Sequence, residues 1–223
     1  MTALLVLLTC AIFLTIDYVK SRKRVRVPAM ARAPEAARPP KLQPAFVGGF
    51  ELPDNLRYHP GHTWALAESP GLVRVGLDDF AARLLGKIES ISLPKRGQWI
   101  RQGQKIVTVL RDGSKAELVS PIEGEVANVN EGVLADQDLA ARDPYGEGWL
   151  LTVQSPDAKT SFRNLLGGAL ARKWMEEAAS RLRMRMPMLA GAVAQDGGVA
   201  VNDVAAHLPD QAWSELAREF FLM

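Results

Sequence analysis

Short runs of alternating apolar and polar residues dominate the middle of the chain and limit the folds open to it. Seven such runs, separated by Gly, Pro and Asp, lie at 63–67, 72–76, 88–93, 105–110, 116–119, 124–129 and 149–153. Many short strands with frequent turns are typical of a compact barrel or sandwich. One short helix is predicted among them, because Phe80, Leu84 and Leu85 lie at helical spacing between an acidic start and Gly86.

An uncharged apolar run at residues 2–16 is followed directly by basic residues. Extended to residue 19, it reaches about the minimum length of a membrane-spanning helix. Basic residues behind the run, instead of before it, favour an uncleaved anchor over a secretory signal. The sequence therefore predicts a transmembrane anchor at residues 1–19, with residues 2–19 in the membrane and everything after Lys20 in the cytoplasm.

Two other interpretations of the apolar run are open. Leu8-Thr9-Cys10 has a faint likeness to a lipoprotein cleavage site, and the run can instead be a buried helix of the core. The missing basic head disfavours the first, and the abrupt change to basic residues disfavours the second.

Residues 20–45 are predicted to be a basic, semi-rigid linker, because five prolines in this stretch are incompatible with a helix or a sheet interior. Residues 20–41 hold eight Lys and Arg against one acid, a net charge of +7. Since the whole chain carries +2 and Asp17 contributes −1, the residues after Lys41 carry −4. The folded part is therefore not expected to bind nucleic acid. The linker arginines can contact anionic lipid or remain solvated.

The carboxyl-terminal third, residues 157–223, is predicted to be a small helical extension. Apolar residues recur at three- and four-residue spacings over residues 161–186, which predicts one helix with a basic face that is solvated or meets a membrane or an acidic partner. A Gly/Ala passage at 190–198 and a short helix near 202–208 follow. Residues 209–221 form an amphipathic helix that must pack on something, since one face carries Trp213, Leu216, Ala217, Phe220 and Phe221.

The chemistry-bearing residues are sparse. One cysteine and three histidines exclude a disulfide framework and make a metal site improbable. No nucleophile with a base and no phosphate-binding glycine loop stands out, so we predict no catalytic residue and no enzyme. His62 is predicted to be a hydrogen-bonded packing residue, while Trp64, Phe80 and Trp149 are predicted to be core residues.

Several motifs, in order, resemble the H protein of the glycine cleavage system. The segment Tyr58-His59-Pro60-Gly61-His62-Thr63-Trp64 is similar to that family's Y-x-x-x-H-x-W opening, and residues 75–81 are similar to its V-G-I-T-D-F-A segment. A third motif is close to the family's D-P-Y-G-x-G-W run: Asp143, Pro144, Tyr145, Gly146, Glu147, Gly148 and Trp149. The resemblance covers roughly 100 of the 223 residues.

The resemblance implies a mostly β fold at residues 46–156, a flattened β-barrel or barrel-sandwich hybrid of the lipoyl-domain type with short helices. The predicted transmembrane helix precedes this domain and the helical extension follows it. The resemblance also implies a carrier protein, in which lipoate is amide-linked to one lysine at the tip of a hairpin. The implied partners are enzymes of glycine cleavage or other lipoate-handling enzymes.

The lysine position of the family falls on a glycine here. Family members read roughly G-x(6)-E-S-x-K-A-x(5)-S-P, and counting forward from Gly103 or back from Ser120 gives Gly113 both times. Asp112-Gly113 followed by Ser114 is a strong signal for a two-residue hairpin turn. The turn is therefore predicted without its modified lysine.

Lys115-Ala116 offers a local match to the K-A pair two residues later, which is about 7 Å along the returning strand. Two functions stay open. The first is a membrane-tethered H-protein-like module without lipoate that binds or assembles partner enzymes. The second is a working lipoyl carrier modified on Lys115.

Overall fold

The strands of this protein pair into three antiparallel sheets in the computed structural model, which describes residues 45–185 and 210–222. The strands are β1 Phe46–Val47, β2 Phe50–Glu51, β3 Arg57–His59, β4 Thr63–Ser69, β5 Leu72–Leu77, β6 Ser90–Ser92, β7 Trp99–Ile100, β8 Lys105–Arg111, β9 Ser114–Val119, β10 Gly124–Val129 and β11 Leu151–Gln154. The helices are α1 Asp79–Leu85, α2 Glu131–Ala135, α3 Leu139–Arg142, α4 Ala158–Arg163, α5 Gly168–Arg185 and α6 Asp210–Phe220.

One core lies between the two larger sheets. The six-stranded sheet has the order β3-β4-β5-β11-β10-β7, and the three-stranded sheet has the order β6-β8-β9. Val75 of the first sheet and Val109 of the second are fully buried in the same cluster. The barrel part is thus mostly β with short helices, as the sequence predicts.

The seven predicted strands are all present, with ends that differ by a few residues. The strands that the sequence does not predict, β1, β2, β3 and β7, are only two or three residues long. An alternation of apolar and polar residues cannot be recognised over so short a stretch.

Helix α1 forms where the sequence predicts it. The Asp78 carboxylate accepts a hydrogen bond from the backbone N–H of Ala81 at 2.8 Å, which caps the amino-terminal end. Gly86 ends the helix with a φ of 62°. Phe80, Leu84 and their neighbours on α1 are buried, so this short helix is part of the core.

The single helix predicted over residues 161–186 is wrong. Helix α4 ends at Arg163, and α5 begins only at Gly168. Between them Leu166 forms a β-bridge with Tyr58, with backbone hydrogen bonds of 2.8 and 2.9 Å. The bridge requires an extended backbone, which ends the helix although the apolar spacing continues through it.

Both carboxyl-terminal helices pack on the barrel. Helix α5 buries Met175 and Ala179, and Ala179 contacts Gly48 in the turn between β1 and β2. Helix α6 packs beside α1 and β9. The predicted Gly/Ala passage and the helix near 202–208 lie outside the described residues.

Residues 1–44, which include the predicted anchor and nearly all of the predicted linker, also lie outside the described residues. Among residues 45–185 and 210–222, no helix is both long and apolar enough to cross a bilayer.

Candidate functional site

The hairpin of β8 and β9 ends in a two-residue turn at Asp112 and Gly113. Arg111 pairs with Ser114 directly below the turn, and Asp112 and Gly113 have φ values of 44° and 74°. Positive φ at both central positions is characteristic of a type I′ turn. A side chain added at Gly113 would have nothing within 4 Å of its Cβ. The tip of the hairpin therefore projects into open space and carries no amine.

Arg111 fixes the base of this turn. It is only 8% exposed, and its Nη1 donates to the carbonyl oxygen of Leu85 at 2.6 Å. Its Nε lies 3.3 Å from the carboxylate of Asp112. The hairpin is thus tied to the carboxyl end of α1. This role of Arg111 is not among the predictions from the sequence, although an arginine on the buried side of a strand is a signal for a specific partner.

Lys115 lies on β9, opposite Leu110, in the second residue pair below the turn. Its side chain is 55% exposed, and its Nζ lies 2.6 Å from Oε1 of Glu117. Lys105 Nζ contacts the other carboxylate oxygen of Glu117 at 3.0 Å. Hydrogen bonds from Lys115 and then Lys105 lower the pKa of Glu117. The amine of Lys115 is accessible and ion-paired, and it stands on the strand instead of at the tip.

The second group of predicted site residues forms a tight turn at residues 143–149, here called the 143–149 turn. The Asp143 carboxylate accepts hydrogen bonds from the backbone N–H groups of Gly146 at 3.1 Å and Glu147 at 2.7 Å. A Cβ at Gly148 would come within 2.4 Å of the carbonyl oxygen of Leu139. The turn is therefore held by its own backbone contacts and has no space for a side chain at Gly148.

Pro144 and Tyr145 bind this turn to the core. The carbonyl oxygen of Pro144 accepts a hydrogen bond from Trp64 Nε1 at 3.1 Å. The Tyr145 hydroxyl donates to the carbonyl oxygen of Glu51 at 2.7 Å and accepts from the backbone N–H of Asp79 at 2.9 Å. Burial raises the pKa of Tyr145 well above its usual value, so this hydroxyl stays protonated. The residues act as structural anchors.

Trp149, at the end of the 143–149 turn, is only partly buried. The guanidinium of Arg74 lies 5.5 Å from its ring centroid. The prediction that Trp149 is a core residue is therefore only partly correct, because one side of the ring lies at the surface of the six-stranded sheet.

Helix α1 separates the two groups of residues. The backbone N–H of its first residue, Asp79, donates to the Tyr145 hydroxyl, and the carbonyl of its last residue, Leu85, accepts from Arg111. A helix of seven residues is about 10 Å long. The structure therefore does not bring the predicted site residues together. It divides them between a hairpin tip in solvent and a turn anchored in the core.

A cavity of about 670 Å³ lies between α1, α3 and the 143–149 turn. Its lining carries both charges: the acids are Glu51, Asp79, Asp138 and Asp143, and the bases are Arg83, Lys87 and Arg142. Burial, followed by the neighbouring carboxylate of Asp79, raises the pKa of Glu51. The lining combines charged and apolar side chains, and it contains no arrangement of nucleophile and base.

His62 is a packing residue, as predicted. Its Nδ1 lies 2.8 Å from the carboxylate of Asp78, and both side chains are buried. Its ring stacks on Phe80 with 4.1 Å between the centroids. Within the described residues, no group of three or more His, Cys, Asp or Glu side chains is placed to hold a metal ion.

Comparison with known proteins finds one family. The family model described as "Glycine cleavage H-protein" matches residues 56–178. The "Probable glycine cleavage system H protein" of Aeropyrum pernix is 36% identical over 108 residues, which cover 48% of this chain and 75% of the relative. The "Glycine cleavage system H protein" of Anaeromyxobacter sp. (strain K) is 33% identical over 128 residues, covering 57% of this chain and 98% of the relative.

A solved structure is also similar to this chain. The crystal structure of a glycine cleavage system H protein from Mycobacterium marinum has 27% sequence identity and a TM-score of 0.48. The match covers 56% of this chain and 98% of that protein.

Proposed function

Because this chain belongs to the glycine cleavage H-protein family, we propose that it is a membrane-tethered member that binds partner enzymes without carrying lipoate. In this proposal it is a binding or assembly protein and not a catalyst. Its partners are enzymes of glycine cleavage or other enzymes that handle lipoate.

One observation carries the proposal. The tip of the β8–β9 hairpin, where both counts in the sequence place the lysine of the family, holds Gly113. A glycine has no amine that can form an amide bond with lipoate. The residues at the tip therefore do not fit the lipoyl group, and no step of a carrier cycle is assigned to them.

The remainder of the family domain supports a binding role. The 143–149 turn, α1 and the hairpin itself keep an ordered surface through the hydrogen bonds of Tyr145, Trp64 and Arg111. A protein that has lost its cargo position but keeps this surface can still be recognised by enzymes that dock on it.

Lys115 supports the alternative function, a lipoyl carrier modified on that residue. Its side chain is more than half exposed, and Ala116 follows it as in the family's K-A pair. Its place in the second residue pair below the turn and its ion pair with Glu117 argue against recognition by a ligase that modifies a tip lysine.

The intact mass of the full chain, purified from membranes of its native host, tests the choice between the two functions. We expect no lipoyl adduct and clean unmodified peptides across residues 103–121, in a host whose other lipoyl proteins are fully modified. A lipoyl adduct on Lys115 that disappears in Lys115→Arg would replace the proposal by the alternative.

A matched pair of variants tests the reason for the missing adduct. Gly113→Lys places an amine at the tip, and the open space around Gly113 accommodates it at about 1–2 kcal/mol of backbone strain. We expect this variant to be lipoylated in the same host, with Gly113→Arg as the unmodified control. If Gly113→Lys folds and stays unmodified, the tip glycine is not what prevents modification.

The tether is proposed from residues 2–19 and the basic segment behind them. We expect the full chain to stay in the membrane fraction after an alkaline carbonate wash, and a variant lacking residues 2–19 to be released. Protease added to the outside of intact cells should leave the H-protein domain intact, because the proposal places this domain in the cytoplasm. Digestion of the domain would show that it lies on the outer side of the membrane, opposite to the proposed orientation.

A further inference from the structure

Helix α6 buries one face against the barrel. Five apolar side chains on this face and in the residue that follows the helix are at most 4% exposed: Trp213, Leu216, Ala217, Phe220 and Phe221. Glu215 and Arg218, on the opposite side, are exposed. The helix is thus attached almost entirely through its apolar face.

The surface under α6 is called the α6 groove and consists of the rings of His62 and Phe80, the carbonyl of Leu84 and strand β9. The Phe220 ring centroid lies 4.9 Å from that of Phe80 and 6.0 Å from that of His62. Without α6, this apolar surface would face water. Contiguous apolar surfaces of this kind usually mark binding sites.

Within the described residues, α6 makes few polar contacts with the rest of the protein. Trp213 Nε1 donates to the carbonyl oxygen of Leu84 at 2.9 Å. Glu219 pairs with Arg185 at 3.0 Å, in an exposed geometry that contributes little. Any helix with the same apolar pattern and one donor for Leu84 can make equivalent contacts.

The α6 groove adjoins the β8–β9 hairpin. Two consecutive carbonyls at the end of α1 are shared between the two elements: Leu84 accepts from Trp213, and Leu85 accepts from Arg111 below the hairpin turn. A protein that approaches the hairpin from the β9 side therefore meets α6.

Helix α6 is an addition to the family domain. The family match ends at residue 178, before α6 begins at Asp210. Residues 186–209, a stretch of 24, separate α5 from α6.

We propose that α6 is a tethered ligand of its own groove and that a partner protein displaces it by inserting an amphipathic helix of the same pattern. This inference rests on the proposed function, since it names how partner docking on the H-protein domain is controlled. In the closed form, α6 covers the β9 side of the hairpin.

The groove defines the chemistry of the partner helix. The partner helix needs an indole or another N–H donor at the position of Trp213, because the carbonyl of Leu84 is otherwise left without a partner. It needs an aromatic residue seven positions later, beside Phe80. Arg181 and Arg185 border that end of the groove, so an acidic residue at the position of Glu219 completes the match.

Native-state hydrogen exchange on the full-length chain in mild detergent tests whether α6 can leave. We expect the amides of α6 to exchange about 100-fold or more faster than those of β5 and β11, through an opening that leaves the barrel folded. If α6 exchanges only together with β5 and β11, it is an integral part of the barrel and the proposal is overturned.

A labelled synthetic peptide of residues 208–223 then serves as the probe for the groove. In the closed protein its apparent affinity is reduced by the small fraction of open molecules. We expect full-length Trp213→Ala to bind the probe at least tenfold more tightly than the unsubstituted chain. Glu215→Ala, on the exposed side of α6, is the matched control and should bind like the unsubstituted chain.

Three results would contradict the proposal. If Trp213→Ala lowers the hydrogen-exchange protection of β5 and β11, then α6 is needed for the barrel to fold and is not a displaceable ligand. If a probe peptide without the indole binds as tightly as the original probe, the carbonyl of Leu84 does not contribute to recognition. If the protein forms a dimer in which α6 of each copy lies in the groove of the other, the occupant of the groove is a second copy of this chain. None of these readouts depends on Lys115, so they are independent of the lipoylation test.

Discussion

The hairpin tip and the 143–149 turn both lie within the part of the chain that matches one family, and they differ in what surrounds them. At the tip, a side chain on Gly113 would contact nothing within 4 Å. In the 143–149 turn, a Cβ on Gly148 would come within 2.4 Å of a backbone oxygen, and Tyr145 bridges Glu51 and Asp79. Only the second region is required by the fold.

This difference explains which motifs the chain keeps. Changing the residues whose contacts hold the barrel together destabilises the protein. The tip contributes nothing to the core, so a change of side chain there costs only the local backbone strain. A close match at residues 143–149 therefore indicates the fold of the family and carries little information about cargo at the tip.

The largest effect is expected for Trp64→Ala, under the 143–149 turn. The indole is 1% exposed, and its Nε1 holds the carbonyl of Pro144. Truncation leaves a cavity and an unpaired carbonyl, which should lower the free energy of unfolding by about 3–5 kcal/mol. Urea denaturation followed by circular dichroism measures this. A loss below about 1 kcal/mol would show that the turn is not anchored through Trp64.

Gly148→Ala and Gly113→Ala compare the two regions with the same added methyl group. At Gly148 the backbone must move to admit a Cβ, and we expect a loss of about 2–3 kcal/mol. At Gly113 only the positive φ opposes alanine, for a loss of about 1 kcal/mol. Thermal unfolding of both variants side by side gives the difference, and equal losses would contradict the comparison.

Tyr145→Phe removes the hydroxyl that joins Glu51 to Asp79. A buried backbone N–H and a partly buried carbonyl lose their partner, so we expect a loss of about 2 kcal/mol at neutral pH.

The same variant should be less sensitive to alkali. Burial raises the pKa of both Tyr145 and Tyr58, so the unfolded chain ionises first and stability is lost as the pH rises above about 10. Without Tyr145, the slope of stability against pH should decrease by about 1.4 kcal/mol per pH unit there. Denaturation curves at several pH values from 8 upwards measure the slope, and unchanged slopes would contradict the buried state of this tyrosine.

The smallest effect is expected for Glu117→Gln on the hairpin. Hydrogen bonds from Lys115 and Lys105 lower the pKa of Glu117, so its contribution is present above about pH 4.5 and disappears as the pH falls through the lowered value. The group is near the surface, and the change at pH 7 should stay below about 0.5 kcal/mol. A larger loss by urea denaturation would mean that the hairpin is held from its outer face.

Prediction from the sequence succeeded where the signal is local. Seven alternating runs became strands, the acidic start and Gly86 bounded α1, and Asp112-Gly113 formed the hairpin turn. It failed where a distant partner decides the conformation. The helix predicted over residues 161–186 is interrupted because Leu166 pairs with Tyr58, more than 100 positions earlier in the chain. The role of Arg111 in tying the hairpin to α1 was not predicted, because its acceptor, the carbonyl of Leu85, belongs to another element.

The sequence by itself determined the family domain, the glycine at the tip position and the amphipathic pattern of α6. These follow from residue order and spacing, which are properties of the chain alone. Only the tertiary structure decided that α1 separates the hairpin from the 143–149 turn, that Arg111 and Trp213 bind neighbouring carbonyls, and that α6 covers the groove beside β9. Contacts of this kind join residues far apart in the chain, and they depend on packing that no local pattern encodes.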